Sequence, residues 1–274
     1  MTLNKNIYDR NFFENKSKLL RKQILDIVYN SNGGHIGGSY SIIDMLVYLY
    51  LKVLNIDPKK PLNKNRDYLI YSKGHCCLAL YTILCDRGFF SKNDLYSYSL
   101  NGGKIGGHPK RFDLPGIEIS SGSLGHGLSI ANGIADGLKK LGKTNKVYVI
   151  LSDGELNEGS NWESLLFISH HNLNNLVIII DYNKIQSLDF VNKTLKLQPL
   201  KKKFTSFGCK VLEIDGHNHK EIFKSLKNSS NRPLVIIANT IKGKGISFME
   251  NKVLWHYKPP NDHELKLGLE ELNK

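Results

Sequence analysis

Cysteine is scarce in this sequence, which contains only Cys76, Cys77, Cys85 and Cys209 among its 274 residues. None of the four belongs to a CxxC pair, and adjacent cysteines rarely bridge each other. A chain of this length does not depend on disulfides for its stability. We therefore expect reduced thiols in the core, which favours a cytoplasmic location. Closely spaced His and Cys of the kind that bind zinc are absent as well.

Long apolar runs are also absent. No stretch approaches the roughly 18 uninterrupted apolar residues that a membrane-spanning helix needs. Residues 1–10 are polar and lack the apolar centre of a signal peptide. We expect neither a membrane span nor a secretory leader. With 41% hydrophobic and 23% charged residues, the composition is that of a soluble globular protein with a substantial core.

Acidic residues are the scarcer charged class, because 38 Lys and Arg stand against 25 Asp and Glu, for a net charge of +13. Such a charge raises the possibility of nucleic-acid binding. Lysine dominates the excess, however, and is spread along the chain without a recognition-helix cluster or an RNP-like aromatic pattern. We therefore predict no nucleic-acid partner and interpret the excess as compositional drift, with attraction for phosphorylated substrates as the functional alternative.

Helical and strand-like patterns alternate along the chain. Strands are predicted at 68–71, 147–151, 176–180, 211–214 and 234–238. Helices are predicted at 13–29, 41–54, 72–86, 128–141, 162–171 and 220–227, with Leu166 and Phe167 as helix core residues. Residues 101–127 are predicted to form a long glycine-rich loop. The alternation predicts an α/β fold, a parallel sheet flanked by helices on both faces, in a single domain over residues 1–274.

Two of the predicted strands end in oxygen-rich turns. Ser152-Asp153-Gly154-Glu155 follows the run 147–151, and Asp181-Tyr182-Asn183 closes the run 176–180. Parallel sheets bind ligands at the carboxyl ends of their strands. A hard divalent cation that also binds a diphosphate needs few protein oxygens. Asp153, Asn183 and the backbone carbonyl of Ile185 would complete such a site.

Four other segments place a histidine or a bare backbone in a turn at or before a predicted helix start. They are Gly34-His35-Ile36-Gly37-Gly38, Ser72-Lys73-Gly74-His75, Gly106-Gly107-His108-Pro109-Lys110 and the glycine-rich segment 121–129. Backbone amides converge on anions at helix starts, and imidazoles exchange protons near neutral pH. One such histidine is more often a cap or a core residue, whereas four in this order indicate a site.

Together with segment 240–245 and the pair Trp255-His256, these motifs resemble the transketolase family over residues 11–261. More narrowly, the chain resembles the N-terminal, thiamine diphosphate-binding section of a transketolase encoded as two polypeptides. Ser152 replaces the first Gly of the usual Gly-Asp-Gly motif. Tyr257 replaces another Gly that is usual in the family, and His126 stands where Gln is common.

The resemblance implies thiamine diphosphate and Mg²⁺ as cofactors. The metal ligands that it implies are Asp153, Asn183 and the carbonyl of Ile185. The cofactor-binding residues that it implies are His75, Gly122, Ser123, Leu124, Gly154, Glu155, Asn183, Lys242 and His256. The residues for which it implies catalytic or substrate-orienting roles are His35, His75, His108 and His256.

The reaction implied by the resemblance is the transfer of a two-carbon ketol unit from a ketose, often phosphorylated, to an aldose. Transketolases activate the cofactor with a Glu from a second, C-terminal domain, and no second α/β pattern follows residue 260. The resemblance therefore implies a partner subunit with a pyrimidine-binding domain, in a heterotetramer of two plus two that acts on sugar phosphates. Two alternatives stay open: a fragment of a related enzyme such as 1-deoxyxylulose 5-phosphate synthase, and a non-catalytic regulatory subunit.

Overall fold

A sheet of five parallel strands forms the centre of the protein. The computed structural model describes residues 9–274. The prediction that the chain has no secretory leader concerns residues 1–10, most of which lie outside the described residues. The strands are β1 (Tyr68–Tyr71), β2 (Val147–Ser152), β3 (Leu176–Tyr182), β4 (Lys210–Asp215) and β5 (Leu234–Asn239). They lie side by side in the order β1-β2-β3-β5-β4. All five predicted strands are present, with boundaries that differ by at most two residues.

Helices connect and cover the strands. The α-helices within residues 9–274 are α1 (Arg10–Asn30), α2 (Ile36–Tyr48), α3 (Cys77–Asp86), α4 (Lys92–Tyr96), α5 (Gly127–Lys140), α6 (Gly159–His170), α7 (Val191–Thr194), α8 (Leu200–Ser206), α9 (His219–Leu226) and α10 (Asp262–Asn273). A π-helical turn, Leu49–Val53, continues α2, and 3₁₀ turns occupy Gly74–Cys76, Gly154–Asn157 and Val253–His256. In this described part of the chain, none of the helices is long and apolar enough to cross a membrane.

The central strands are apolar on both faces, and alternate side chains enter two different cores. In β2, Tyr148 and Ile150 belong to the core formed with α1, α2, α3 and α9. Val149 and Leu151 belong to the core formed with α5, α6 and α8. Strands covered on both faces are expected to be continuously apolar, as these are. The predicted parallel sheet flanked by helices on both faces is confirmed.

The cysteines contribute to these cores. Cys76, Cys77 and Cys209 are buried free thiols, and Cys85 is partly buried, so the prediction of core cysteines is confirmed for three of the four. The assignment of residues 1–274 to one domain remains a prediction.

The second helix begins five residues earlier than predicted. His35 takes the N-cap position, and Gly37 and Gly38 lie in the first turn of α2. Close packing explains the two glycines. A Cβ added at Gly37 would lie 2.5 Å from the Trp255 carbonyl oxygen, and one added at Gly38 would lie 2.5 Å from the Cys76 sulfur. In the sequence this glycine pair favours a loop. In the structure both glycines lie in the first turn of a helix, where the neighbouring chain leaves no room for a side chain.

The prediction that Leu166 and Phe167 are helix core residues is wrong. Leu166 and Phe167 are 63% and 40% exposed, because α6 packs on the sheet through the neighbouring Leu165 and Ile168 instead. Helices α4, α7, α8 and α10 are absent from the sequence predictions, although a capping box of N-cap Asn261 stabilises the first turn of α10.

Truncating Ile179, which lies fully buried in the central strand β3, should destabilise the protein. The substitution Ile179→Ala removes the outer carbons of the side chain and leaves a cavity. We expect the free energy of unfolding to fall by about 2–5 kcal/mol, measured by urea denaturation. Ile130→Ala, at a position that is 39% exposed, is the matched control and should change it by less than about 0.5 kcal/mol. Equal effects of the two substitutions would contradict the described core.

Candidate active site

The carboxyl ends of β2 and β3 bring the two oxygen-rich turns side by side. The strands are hydrogen-bonded neighbours, with Ser152 opposite Asp181. Asp153 follows β2 directly and Asn183 follows β3 directly. A cavity of about 220 Å³ opens at this edge, where open parallel sheets bind their ligands. Ten of the predicted site residues line this cavity: His35, His75, Gly122, Leu124, Asp153, Gly154, Asn183, Ile185, Lys242 and His256.

Three predicted site residues do not line the cavity. Ser123 is exposed and lies between two loop residues that do line it. His108 is exposed and lies beside the cavity, with its ring 6.1 Å from that of His35. Glu155 is fully buried. Ten of the thirteen predicted residues therefore lie on the wall of one cavity, and the role of each stays a prediction.

The buried carboxylate of Glu155 links the acidic turn to two neighbouring loops. Its Oε1 accepts hydrogen bonds from the Ser72 hydroxyl and from the Gly125 amide, the latter at 2.9 Å. Its Oε2 accepts one from the Ser152 amide at 3.2 Å. Burial raises the pKa of Glu155, and these hydrogen bonds oppose the rise. Protein groups engage both oxygens, so the side chain of Glu155 joins the loops around the cavity; its role as a cofactor contact stays a prediction.

Backbone amides hold the two side chains that the resemblance implies as metal ligands, Asp153 and Asn183. Asp153 accepts hydrogen bonds from the amides of Gly154 at 2.7 Å and of Lys184 at 2.6 Å. Asn183 accepts one through Oδ1 from the Ile185 amide at 3.2 Å. Carboxylate and amide oxygens each carry a second lone pair. These side chains are therefore oriented while they keep the capacity to bind a cation.

The environment of Asp153 favours a neighbouring positive charge. Its side chain is almost fully buried. Burial raises the pKa of Asp153 to about 7, the charge of Asp181 adds to the rise, and the two amide hydrogen bonds oppose it. A bound cation would favour the ionised carboxylate. Within residues 9–274 no group of three His, Cys, Asp or Glu could hold a metal ion. One carboxylate with neutral oxygens, as Asp153 and Asn183 offer at this cavity, suits a hard cation shared with a phosphate.

Lys242 brings an ammonium group to the same part of the cavity. Its Nζ donates to the Ile185 carbonyl oxygen at 3.0 Å and lies 2.8 Å from Nδ1 of His256. Burial lowers the pKa of Lys242 to about 8, against the attraction of Cys76 and Asp153. The side chain is therefore still mostly protonated at neutral pH. A largely buried ammonium group is well suited to bind phosphate oxygens.

Three imidazoles form another part of the wall. The ring of His35 lies 5.1 Å from that of His75 and 5.2 Å from that of His256. The rings of His75 and His256 stack at 5.7 Å. Burial, reinforced by nearby lysines and histidines, lowers the pKa of His35 to about 4, of His75 to about 2 and of His256 to about 3. All three are neutral at physiological pH, so each offers one donor and one acceptor.

Two buried polar atoms of cavity-lining residues have no hydrogen-bond partner among residues 9–274. They are Nδ1 of His35 and Nε2 of Gln186. Leaving a buried polar atom unpaired is costly, so such atoms indicate a polar ligand. Gln186 is a site residue that the sequence predictions miss, although it directly follows Ile185, which they include.

A buried ion pair at the cavity is also missing from the sequence predictions. Lys73 and Asp181 are both fully buried and paired with each other. Lys73 also donates to the Gly38 carbonyl oxygen at 3.0 Å, and Asp181 accepts from the hydroxyls of Ser41, at 2.6 Å, and Thr240. Burial alone would lower the pKa of Lys73, but the attraction of Asp181 outweighs it and the pKa is raised. The pair joins four of the segments that carry site residues.

The fold and the site define a class of protein: an α/β domain with a polar cavity at the carboxyl edge of its parallel sheet. Residues 14–272 match the family described as transketolase, thiamine diphosphate binding domain. The chain belongs to this family. The resemblance inferred from the sequence motifs is thereby confirmed.

Relatives of two kinds are found. The chain is 42% identical over 264 residues to an apulose-4-phosphate transketolase subunit of Actinobacillus succinogenes, covering 94% of this chain and 95% of that protein. It is 36% identical to the 6-deoxy-6-sulfo-D-fructose transketolase subunit SqwG of Clostridium sp. (strain MSTE9), covering 95% and 96%. The crystal structure of transketolase from Campylobacter jejuni superposes with a TM-score of 0.92 at 30% identity, covering 97% of this chain and 43% of that one. The chain thus spans less than half of that transketolase.

Removing one member of the buried pair should be strongly destabilising. In Asp181→Ala the ammonium of Lys73 stays buried without its counter-charge, so we expect the free energy of unfolding to fall by about 3–5 kcal/mol in urea denaturation. The double variant Lys73→Met with Asp181→Leu is the control. Because it removes both charges and keeps apolar volume, it should lose less than the single variant. A greater loss in the double variant would mean that the pair is not what holds these segments.

Proposed function

We propose that this chain is the thiamine diphosphate-binding subunit of a Mg²⁺-dependent transketolase, which transfers a two-carbon ketol unit from a ketose phosphate to an aldose phosphate. One observation carries the proposal. A single cavity combines oxygen donors and an ammonium group, which suit a diphosphate with its cation, with neutral imidazoles, which suit the oxygens of a sugar. The net charge of +13 further favours anionic substrates.

The residues present fit the cofactor. Thiamine diphosphate, when bound, supplies the nucleophilic carbon and the electron sink of the reaction. Asp153, Asn183 and the Ile185 carbonyl would hold Mg²⁺, and Lys242 would pair with phosphate oxygens. The unpartnered Nε2 of Gln186 offers one further donor on the cavity wall.

The imidazoles would orient the sugar and move protons. His35 carries an unpartnered buried Nδ1, which would pair with a hydroxyl or carbonyl oxygen of the substrate. Because His35 and His75 are neutral at physiological pH, each offers one donor and one acceptor nitrogen to the hydroxyl and carbonyl oxygens of the substrate. His108, exposed beside the cavity, would contact the part of the sugar nearer to solvent.

A second subunit is part of the proposal. Two relatives named as transketolase subunits are matched over 95% and 96% of their own lengths. By analogy with them, we propose a partner that carries the pyrimidine-binding domain and the glutamate that activates the cofactor, in a heterotetramer of two plus two. On this proposal the partner supplies the activating carboxylate, and this chain is catalytically silent without it.

Isolation of the native complex tests this function. The tagged chain is purified from its native cells, the accompanying polypeptides are identified, and the complex is assayed for bound thiamine diphosphate, for Mg²⁺ and for two-carbon transfer among a panel of sugar phosphates. We expect a roughly equimolar second polypeptide, bound cofactor and transfer activity that the isolated chain lacks. A chain that purifies alone without cofactor, or that turns over by itself at the full rate of the complex, would falsify the proposal.

Replacing the single charged metal ligand should abolish cation-dependent cofactor binding. In Asp153→Ala we expect the Mg²⁺-dependent affinity for thiamine diphosphate to fall by at least about 100-fold, or roughly 2.7 kcal/mol. Titration of the complex by calorimetry measures the change. Asp57→Ala, which removes an exposed carboxylate outside the cavity, is the control and should bind normally. Unchanged affinity in Asp153→Ala would refute the ligand assignment.

Replacing His108 should affect turnover rather than cofactor binding. In His108→Ala we expect kcat to fall by about 100-fold, while the affinity for thiamine diphosphate changes by less than about threefold. The physical reason is its place beside the cavity, outside the wall that faces the phosphates and the metal. His263→Ala, at an exposed position of α10, is the control. The reverse pattern, with weak cofactor binding and normal turnover, would place His108 in the cofactor site.

A further inference from the structure

A second buried polar cluster links α1 and α2 to the turn after β4. Arg21 of α1 forms a two-pronged ion pair with Asp44 of α2, with N···O distances of 2.7 and 3.2 Å. Nδ1 of His217, in the turn after β4, lies 2.7 Å from Oδ2 of the same carboxylate. Arg21 and Asp44 are both more than nine-tenths buried. A pair of this geometry holds both side chains in one orientation.

The hydrogen bonds determine the tautomer of His217. The backbone amide of Ile241 points at Nε2 of His217 over 2.8 Å. An amide can only donate, so Nε2 must accept, and the ring proton must lie on Nδ1 and donate to Asp44. Burial would raise the pKa of Asp44, but the charge and hydrogen bonds of Arg21, with the hydrogen bond from His217, outweigh it and hold the pKa well below its usual range. Asp44 therefore remains an acceptor.

The amide that His217 holds belongs to the residue before Lys242. Neighbouring residues are tied down separately, since the Thr240 hydroxyl donates to Asp181 and the Gly243 amide donates to the Gly37 carbonyl oxygen at 3.0 Å. Gly37 belongs to the first turn of α2, and Asp44 lies further along the same helix. One helix thus supports the backbone around Lys242 from two points, directly through Gly37 and indirectly through His217.

We propose that His217 is a positioning residue for Lys242: it accepts the Ile241 amide and so sets the backbone from which the lysine reaches its phosphate ligand. The proposal deepens the proposed function and rests on it, because it takes that ligand to be thiamine diphosphate. His217 itself does not touch the cavity. The turn that contains it reads in the sequence only as the end of a strand, and the structure connects that turn to the site.

The contact itself is tested without any cofactor. Nitrogen-15 NMR of the histidine side chains in the full-length chain should show His217 as the Nδ1–H tautomer, and hydrogen exchange at the Ile241 amide should be slowed. Exchange at this amide should become faster in His217→Leu and stay slow in His217→Gln, whose side-chain oxygen can still accept. An Nε2–H tautomer, or an amide that exchanges equally fast in all three proteins, would overturn the proposal.

The action through Lys242 is tested by a double-mutant cycle on the complex of this chain with the subunit that copurifies with it. His217→Leu should weaken Mg²⁺–thiamine diphosphate binding by about tenfold, the order expected for one lost buried hydrogen bond. In a Lys242→Met background the same substitution should have no further effect. His217→Gln should restore most of the affinity, which a merely space-filling role would not predict.

His219→Leu is the matched control. His219 lies 3.8 Å from the same Asp44 carboxylate, but within residues 9–274 it makes no hydrogen bond to segment 240–243, so its loss should leave cofactor affinity unchanged. A loss of affinity in His217→Leu that is equal in both backgrounds, or absent from both, would overturn this proposal alone. A wild-type complex that binds no thiamine diphosphate would overturn the proposed function together with it.

Discussion

The buried ion pair between Lys73 and Asp181 is the interaction on which the other contacts of the site depend. Both ions are removed from water, so each needs its partner and additional hydrogen bonds to replace the lost hydration. Asp181 finds these in the hydroxyls of Ser41 and Thr240, and Lys73 finds one in the Gly38 carbonyl oxygen. Gly38 and Ser41 lie in the N-terminal half of α2, and Lys73 lies in the turn after β1. Asp181 lies at the end of β3, and Thr240 directly follows β5. The geometry of the site is therefore defined where four segments meet.

Burial at this meeting point also decides the protonation states around the cavity. The same exclusion of water that keeps His35, His75 and His256 neutral makes the ionised form of Asp153 unfavourable unless a cation is near. Buried groups of this kind contribute little to the stability of the fold, but they are available to bind a ligand. Shifted pKa values of this kind gather where a protein does chemistry. The match to a thiamine diphosphate-binding family agrees with that physical description.

The sequence predicts much of the site because its chemistry is concentrated in short motifs. Asp153 and Asn183 follow apolar runs, and parallel strands that end together bring such residues to one edge without further information. The role of Glu155 could not be predicted in this way. Its carboxylate is engaged by Ser72 and Gly125, which lie 83 and 30 residues away along the chain. Only the folded arrangement shows that it holds loops together and does not face the cavity.

Local patterns by themselves determined the strands, most helices, the α/β class and the segments that line the cavity, because periodicity and turn chemistry act over a few residues. Tertiary structure decided which residues within those segments face each other. It placed Gly37 and Gly38 inside a helix start, since only glycine fits against the neighbouring chain. It also paired Lys73 with an aspartate 108 residues away and assigned the tautomer of His217. Contacts between distant residues leave no periodic trace in the sequence, and for that reason they appear only in the folded chain.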